Sequence, residues 1–214
     1  MMVNTMTNEV KVCLIGAGGI GSTLVHFLAP SLSKSKTKID FHIFDSDIVE
    51  DRNIQFQQFS NSDIGLTKVK CLSKSYSSRN FQIKAIESDL DGNTSLSCYD
   101  YVICAVDNAK ARKLVHSKSK KWIDLRSTGD GCVYLTDNTS QSLIEAMTTE
   151  NSGGSCQQEG AIEFGFIEYG YAICAATGAQ WLHDHLRFGD SNIIQGIQSI
   201  RFGQMNFPKM EVTA

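Results

Sequence analysis

Apolar residues along this chain fall into short continuous runs that alternate with amphipathic stretches. The runs at residues 10–15, 39–44, 82–86 and 101–106 are each bounded by polar or glycine-rich segments. Such short runs suit buried strands, whereas apolar positions three and four apart suit helices. Helical patterning covers residues 19–32, about 63–76, and the stretch from Asp107-Asn108 through His116. Residues 33–37 read as a polar connection and 45–62 as an irregular, partly helical segment. A fifth strand is predicted at 122–125, and the shorter run at 132–135 suits an antiparallel strand. Residues 136–155 look least structured, with Asn138, Thr139, Asn151 and Gly153-Gly154 as breakers. Residues 161–187 read as one long helix with small residues along a face, and 197–207 as one or two closing strands.

Strands alternating with helices predict an α/β fold: a Rossmann-like open, mostly parallel twisted sheet with helices on both faces and a short antiparallel C-terminal extension. A length of 214 residues suits one such domain, and no repeat or Pro-rich linker divides it, the only prolines being Pro30 and Pro208. Residues 1–9 are expected to be a short disordered lead-in. The net charge of -3 offers no footprint for nucleic acid or an anionic membrane. The lysines at 34, 36 and 38 and at 118, 120 and 121, spaced by serine or threonine or adjacent, read as solvated ends. No apolar run approaches the roughly 20 residues of a membrane span and no secretory core precedes residue 10, so a cytoplasmic location is expected. The seven cysteines include no C-x-x-C pair, which argues against a disulfide framework or a structural zinc. Only Cys156 stands in a polar, glycine-rich setting and is the candidate reactive thiol.

Candidate chemistry gathers at the predicted carboxyl ends of the strands, the edge where open α/β sheets take ligands. The first strand runs into Gly16-Ala17-Gly18-Gly19-Ile20-Gly21. A strand ending in glycines and opening into a helix presents backbone N–H groups and a positive dipole end to a phosphate. Gly16 allows the tight turn, Gly18 the approach of a pyrophosphate, and Gly21 close packing of helix on strand. Asp45, at the tip of the second strand, is placed to accept hydrogen bonds from ribose hydroxyls of either NAD or ATP. Asp47, Asn53, Gln57 and Lys68 follow, and Asp107-Asn108 with Arg112 closes the fourth strand. A nucleotidyl-transfer site needs a cation for phosphate charge and a carboxylate for Mg²⁺, and Lys68 and Asp107 suit those roles. The structural alternatives are a solvated helix-start lysine and a helix N-cap. The histidines add little: His183 and His185 point to different helix faces, His26 and His116 read as helix-surface residues, and His42 lies in a strand. The aromatics Phe164, Phe166, Tyr169 and Tyr171 read as a core or dimer face of the long helix.

These motifs together resemble the ThiF-type adenylyltransferases, a superfamily that includes ubiquitin-activating enzymes and the activators of the thiamine and molybdopterin sulfur carriers. The resemblance rests on Gly16-x-Gly18-Gly19-x-Gly21, Asp45-x-Asp47, Asn53-x-x-x-Gln57, Gly65-x-x-Lys68-Val69, Asp107-Asn108-x-x-x-Arg112 and Ser155-Cys156-x-x-x-Gly160-Ala161-Ile162, over roughly residues 10–187. It implies that ATP and Mg²⁺ activate the C-terminal Gly-Gly carboxylate of a small ubiquitin-like or sulfur-carrier protein as an acyl-adenylate, in a homodimer. By the same resemblance Asp45 holds ribose, Lys68 the phosphates and Asp107 the metal, while Asn53 and Gln57 line the phosphate site. Cys156 aligns with a cysteine that in some members carries a covalent sulfur or acyl link.

The chain departs from the family pattern in four places. Phe56 stands where the family's Asn-x-x-Arg-Gln segment has its phosphate-facing arginine; Arg126, or else Arg52, is the candidate replacement, with a salt bridge to Asp124 or Asp130 as the structural alternative for Arg126. Nothing before Val10 resembles the arginine-bearing segment that family dimers exchange, the paired C-x-x-C zinc ligands are missing, and the stretch before Cys156 is short for a separate thioester domain. Two other readings stay open: an ATP- or partner-binding module that has lost turnover, and an NAD(P)-dependent oxidoreductase.

Overall fold

The computed structural model describes residues 9 to 149 and 156 to 207. Its elements are β1 (Glu9–Ile15), α1 (Gly19–Leu32), β2 (Lys38–Phe44), α2 (Lys68–Tyr76), β3 (Phe81–Ile86), β4 (Tyr101–Cys104), α3 (Ala109–Lys118), β5 (Trp122–Thr128), β6 (Gly131–Thr136), α4 (Gln141–Met147), α5 (Gly170–Phe188), β7 (Gln195–Ser199) and β8 (Gly203–Met205). The expected lead-in falls outside the described residues except for Glu9, which opens β1. One eight-stranded sheet runs in the order β3-β2-β1-β4-β5-β6-β7-β8. Strands β1 to β5 pair in parallel, and β6, β7 and β8 are added antiparallel, as the sequence pattern implied.

Both faces of the parallel part are covered, which is why its strands read as unbroken apolar runs. Alternate residues of β1 divide between the two faces. Val12 and Leu14 pack with Leu24, Leu28, Trp181 and Leu182 of α1 and α5. Cys13 and Ile15 pack with Val115 of α3 and with Leu143 and Ile144 of α4. The chain order reverses between β1 and β4, so a crevice opens at their carboxyl ends.

The glycine turn closes that crevice's floor. Gly16 has φ +98°, its N–H donates to the Phe44 carbonyl at 2.9 Å, and a Cβ there would lie 2.6 Å from the Ala105 carbonyl oxygen. A Cβ on Gly21 would lie 2.0 Å from the carbonyl oxygen of Gly16 itself. Only glycine lets α1 start this close to the strand it follows.

Several boundaries differ from the sequence reading. The long helix begins at Gly170 rather than at 161, because Gly160 and Gly165 take positive φ and residues 160–165 form turns. Phe164 and Phe166 are consequently exposed off the helix, and of the aromatic run only Tyr171 is buried within it. Helix α2 starts at Lys68 rather than near 63: residues Asn61–Asp63 make a single 3-10 turn and Gly65 takes φ +85°. The stretch read as least structured contains α4, a seven-residue helix too short to announce itself by periodicity. Residues 150 to 155 of that stretch lie outside the described residues. His116 is not a surface residue: its ring stacks on Trp122 at 4.3 Å and its side chain is 10% exposed.

The turn's sterics have a measurable consequence. Gly21→Ala forces a methyl against backbone and is expected to cost about 2–3 kcal/mol in denaturant unfolding. Gly18→Ala places its methyl in open space and is expected to cost about 1 kcal/mol or less, from the weaker N-cap alone. Equal losses for the two variants would refute this account of the turn.

Candidate functional site

A cleft of about 600 Å³ opens where the carboxyl ends of β1, β2, β4 and β5 meet, a size ordinary for a small-molecule site. Gly16, Gly18, Gly19 and Ile20 form its floor. Gly18 caps α1 without a side chain, the first helical turn carries no acid, and a Cβ at Gly18 would meet nothing within 4 Å. Backbone amides and the helix dipole therefore face a space open to an anion.

Asp45 braces this turn from the tip of β2. Its carboxylate accepts from the Ala17 N–H at 2.7 Å and from the Asp47 N–H at 2.8 Å. Burial pushes its pKa above the usual carboxylate value, opposed by the Ala17 bond and the Lys68 charge. The sequence pattern places Asp45 for a ribose; the structure shows it holding the glycine turn against β2.

Lys68 is buried, so it is not a solvated helix-start lysine. Its Nζ donates to the Asp47 carboxylate at 2.7 Å, and its backbone N–H donates to the Asp47 carbonyl at 3.0 Å. The partner is exposed, so the ammonium sits at the cleft wall with its counter-ion on the solvent side. Asn53 is buried, and its side-chain oxygen accepts from the Glu50 N–H at 2.8 Å, closing the loop that carries the site. Gln57 is buried at the cleft wall, and its Oε1 has no hydrogen-bond partner; the same holds for Ser127 Oγ. Buried polar atoms left unpaired at a cleft are candidates to meet a ligand or water.

Phe56 fills the position where the resemblance calls for an arginine. Its ring packs on the edge of Tyr171, 5.8 Å between centroids, and a Cβ on Gly19 would come within 3.1 Å of it. An apolar ring thus sits over the glycine turn. Arg52, one of the two candidate replacements, is exposed and paired with Glu50 at 2.5 Å.

At the tip of β4, Asn108 is the N-cap of α3, its side-chain oxygen accepting from the Ala111 N–H at 2.8 Å. The cap assigned by alternative to Asp107 therefore belongs to its neighbour. Asp107 is exposed and lines the cleft. Arg112, one turn on, is buried and donates to the Val106 carbonyl at 2.8 Å.

Asp124 on β5 is the residue the sequence reading passed over, except as a partner for Arg126. It is 0% exposed. One oxygen accepts from Arg126 Nη2 at 2.6 Å and Nε at 3.2 Å and lies 3.0 Å from His116 Nε2; the other lies 3.5 Å from Arg112 Nε. Burial alone would raise its pKa, but the His116 hydrogen bond and the Arg126 and Arg112 charges hold it below the usual carboxylate value. Arg126 also donates to the Met147 carbonyl and to Thr148 Oγ1, so its salt bridge with Asp124 is present while its side chain still lines the cleft. The available signal was parity: Asp124 shares a strand face with Trp122, where an apolar residue would be expected.

Cys156 lines the cleft too, half-buried. Burial, reinforced by the Asp107 charge, pushes its thiol up to about 11. At neutral pH it is a protonated thiol, unlike a poised nucleophile. Cys98, not singled out by the sequence, is the exposed cysteine among the described residues.

Among the described residues no group of three or more His, Cys, Asp or Glu is arranged to hold a metal alone. Asp107 fits a Mg²⁺ that takes one carboxylate and completes its shell with substrate phosphates and water.

The sequence matches the family model described as ThiF over residues 5–213. No curated protein matches it significantly. Among solved structures, the crystal structure of E. coli MccB with ATP aligns at a TM-score of 0.66 and 16% identity, covering 95% of this chain and 65% of that one. E. coli MccB with AMPCPP and selenomethionine MccA aligns at 0.64 and 16% identity, again covering 95% and 65%. Selenomethionine PaaA aligns at 0.62 and 17% identity, covering 91% of this chain and 70% of that one. This chain thus spans slightly less than two thirds of the MccB chains. At these identities the structural likeness concerns the fold, whereas the family match runs over nearly the whole sequence. On that match, the chain belongs to the ThiF family.

Proposed function

We propose that this protein binds ATP in the cleft and transfers its adenylyl group to a carboxylate. The observation that carries the reading is the convergence of three features on one sheet edge: the open glycine turn, the buried Lys68, and the exposed Asp107. In the reaction, a carboxylate oxygen attacks the α-phosphorus in line, the bond to the β-phosphate oxygen breaks, and pyrophosphate leaves. Little covalent work falls to the protein. Positioning and charge neutralisation carry most of the rate. The α1 amides and Lys68 receive phosphate oxygens, Arg126 and Arg112 stand at the wall in place of the cation lost at Phe56, and Asp45 is within the cleft for ribose. Gln57 and Ser127 offer buried polar atoms for the remaining contacts. Mg²⁺ held by Asp107 and the phosphates would offset developing charge on the leaving group.

The finer reading takes the acceptor to be the C-terminal carboxylate of a small protein or peptide, of the ubiquitin-like or sulfur-carrier kind ending in Gly-Gly. Support comes from family membership and from E. coli MccB, whose crystal structure holds MccA. A homodimer in the cytoplasm belongs to the same reading. A second reading, a binding module without turnover, draws on Phe56: an apolar ring replaces a group that acts where charge develops.

ATP–pyrophosphate exchange, with and without a Gly-Gly-tailed carrier, tests the proposal. Exchange is expected in the wild type and is expected to fall by about 10²–10³ in Lys68→Ala and in Asp107→Ala. Tight ATP binding without exchange for any carrier would establish the binding module instead.

The raised thiol pKa argues against Cys156 as a covalent nucleophile. Alkylation of Cys156 by iodoacetamide, followed by peptide mass spectrometry, is expected to accelerate about tenfold per pH unit below its pKa of about 11. A carrier adduct that survives denaturation and vanishes in Cys156→Ser would restore the covalent role.

A further inference from the structure

Asp124 has no exposure and does not line the cleft, yet two cleft-lining arginines are attached to it. It stands on β5 at the position paired with Cys104 of β4, directly under the strand end that leads to Asp107. Arg112 reaches it from α3, Arg126 from its own strand two residues on, and His116 from one turn further along α3. His116 is itself fixed by stacking on Trp122.

Stability does not account for such a cluster. Taking ions out of water costs several kcal/mol each, and well-packed apolar residues of similar volume are often as stable or more so. A buried carboxylate earns its place more readily by fixing where its cations lie. Arg126 shows how: its Nε and Nη2 meet one Asp124 oxygen, while Nη1 reaches the Met147 carbonyl and Nη2 also reaches Thr148 Oγ1 at the end of α4. Without the carboxylate, Arg126 keeps only the bonds that draw it toward the end of α4. Arg112 keeps its bond to the Val106 carbonyl. Two guanidiniums of like charge would then separate.

We propose that Asp124 is a positioning residue, buttressed by His116, that sets Arg126 and Arg112 on the cleft wall to receive the phosphates of the nucleotide. It touches no ligand. The proposal rests on the reading of the cleft as an ATP site, and it predicts where the phosphate contribution to binding originates.

The test is calorimetric titration of the full chain with ATP and, separately, with adenosine. The wild type is expected to prefer ATP. In Asp124→Asn, which keeps the shape and removes the charge, that preference is expected to shrink roughly tenfold, the size of one lost charge-assisted contact, while adenosine affinity stays constant. Should Asp124→Asn fail to fold by circular dichroism, Asp124→Glu keeps the charge but displaces it, and the same loss is expected. A folded variant that retains the full preference overturns the positioning role and leaves the ATP reading standing. A parallel loss for ATP and adenosine also overturns it, since that is the mark of a merely structural residue. A wild type that binds adenosine as well as ATP overturns the ATP reading and the proposal with it. Binding is the readout, so a chain that binds ATP without turnover still decides the matter.

Discussion

The close approach between the Gly21 backbone and the Gly16 carbonyl is the constraint on which the rest of this structure depends. It brings the start of α1 onto the end of β1, so that helical N–H groups point into the crevice where strand order reverses. The turn is held from both sides: Gly16 bonds to β2 through the Phe44 carbonyl, and Asp45 reaches back to the Ala17 N–H. A side chain at either glycine would part helix from strand and tilt the amides away from the cleft. The exposure of these amides to the cleft is therefore a consequence of packing, not an addition to it.

Charge in the cleft is arranged in pairs rather than scattered. Lys68 is buried against an exposed Asp47, Arg52 is paired on the surface with Glu50, and Asp124 gathers Arg126, Arg112 and His116 beneath the wall. Groups already fixed by partners need little reorganisation when a ligand's charge arrives, which is how preorganised sites stabilise developing charge. Phe56 gives the glycine turn an unusual cover, an aromatic ring packed on Tyr171 over Gly19 at the position where the sequence pattern calls for a cation. The arginines that line the same cleft are Arg126 on β5 and Arg112 on α3.

Much of this was legible in the chain. The apolar runs located β1 to β5, the antiparallel turn of the sheet was visible in the short run at 132–135, and the glycine turn, Lys68 and Asp107, singled out by type and spacing, line one cleft. The misread parts share a cause. Helix α4 is too short for periodicity to register, and the start of α5 was displaced because Gly160 and Gly165 break a pattern that otherwise continues. His116 looked like a surface residue because a helix's apolar face is judged from its neighbours, and the Trp122 ring it stacks on lies on another element. Asp107 and Asn108 could each have capped α3; only backbone geometry distinguishes adjacent candidates, and it chose Asn108.

By itself the sequence determined which segments bury a face and where the backbone must be glycine, because burial follows local periodicity and sterics follow a residue's own Cβ. Tertiary structure alone decided which distant polar groups meet. Asp45 finds Ala17 across 28 residues and Lys68 finds Asp47 across 21, and those distances are bridged by strand order, which no local pattern records. Asp124 is the extreme case. Its neighbours in the chain suggest an ordinary strand, and its cluster forms only because β5 lies beside β4 with α3 packed over both, leaving one carboxylate to answer three cationic or hydrogen-bonding groups in a place that water does not reach.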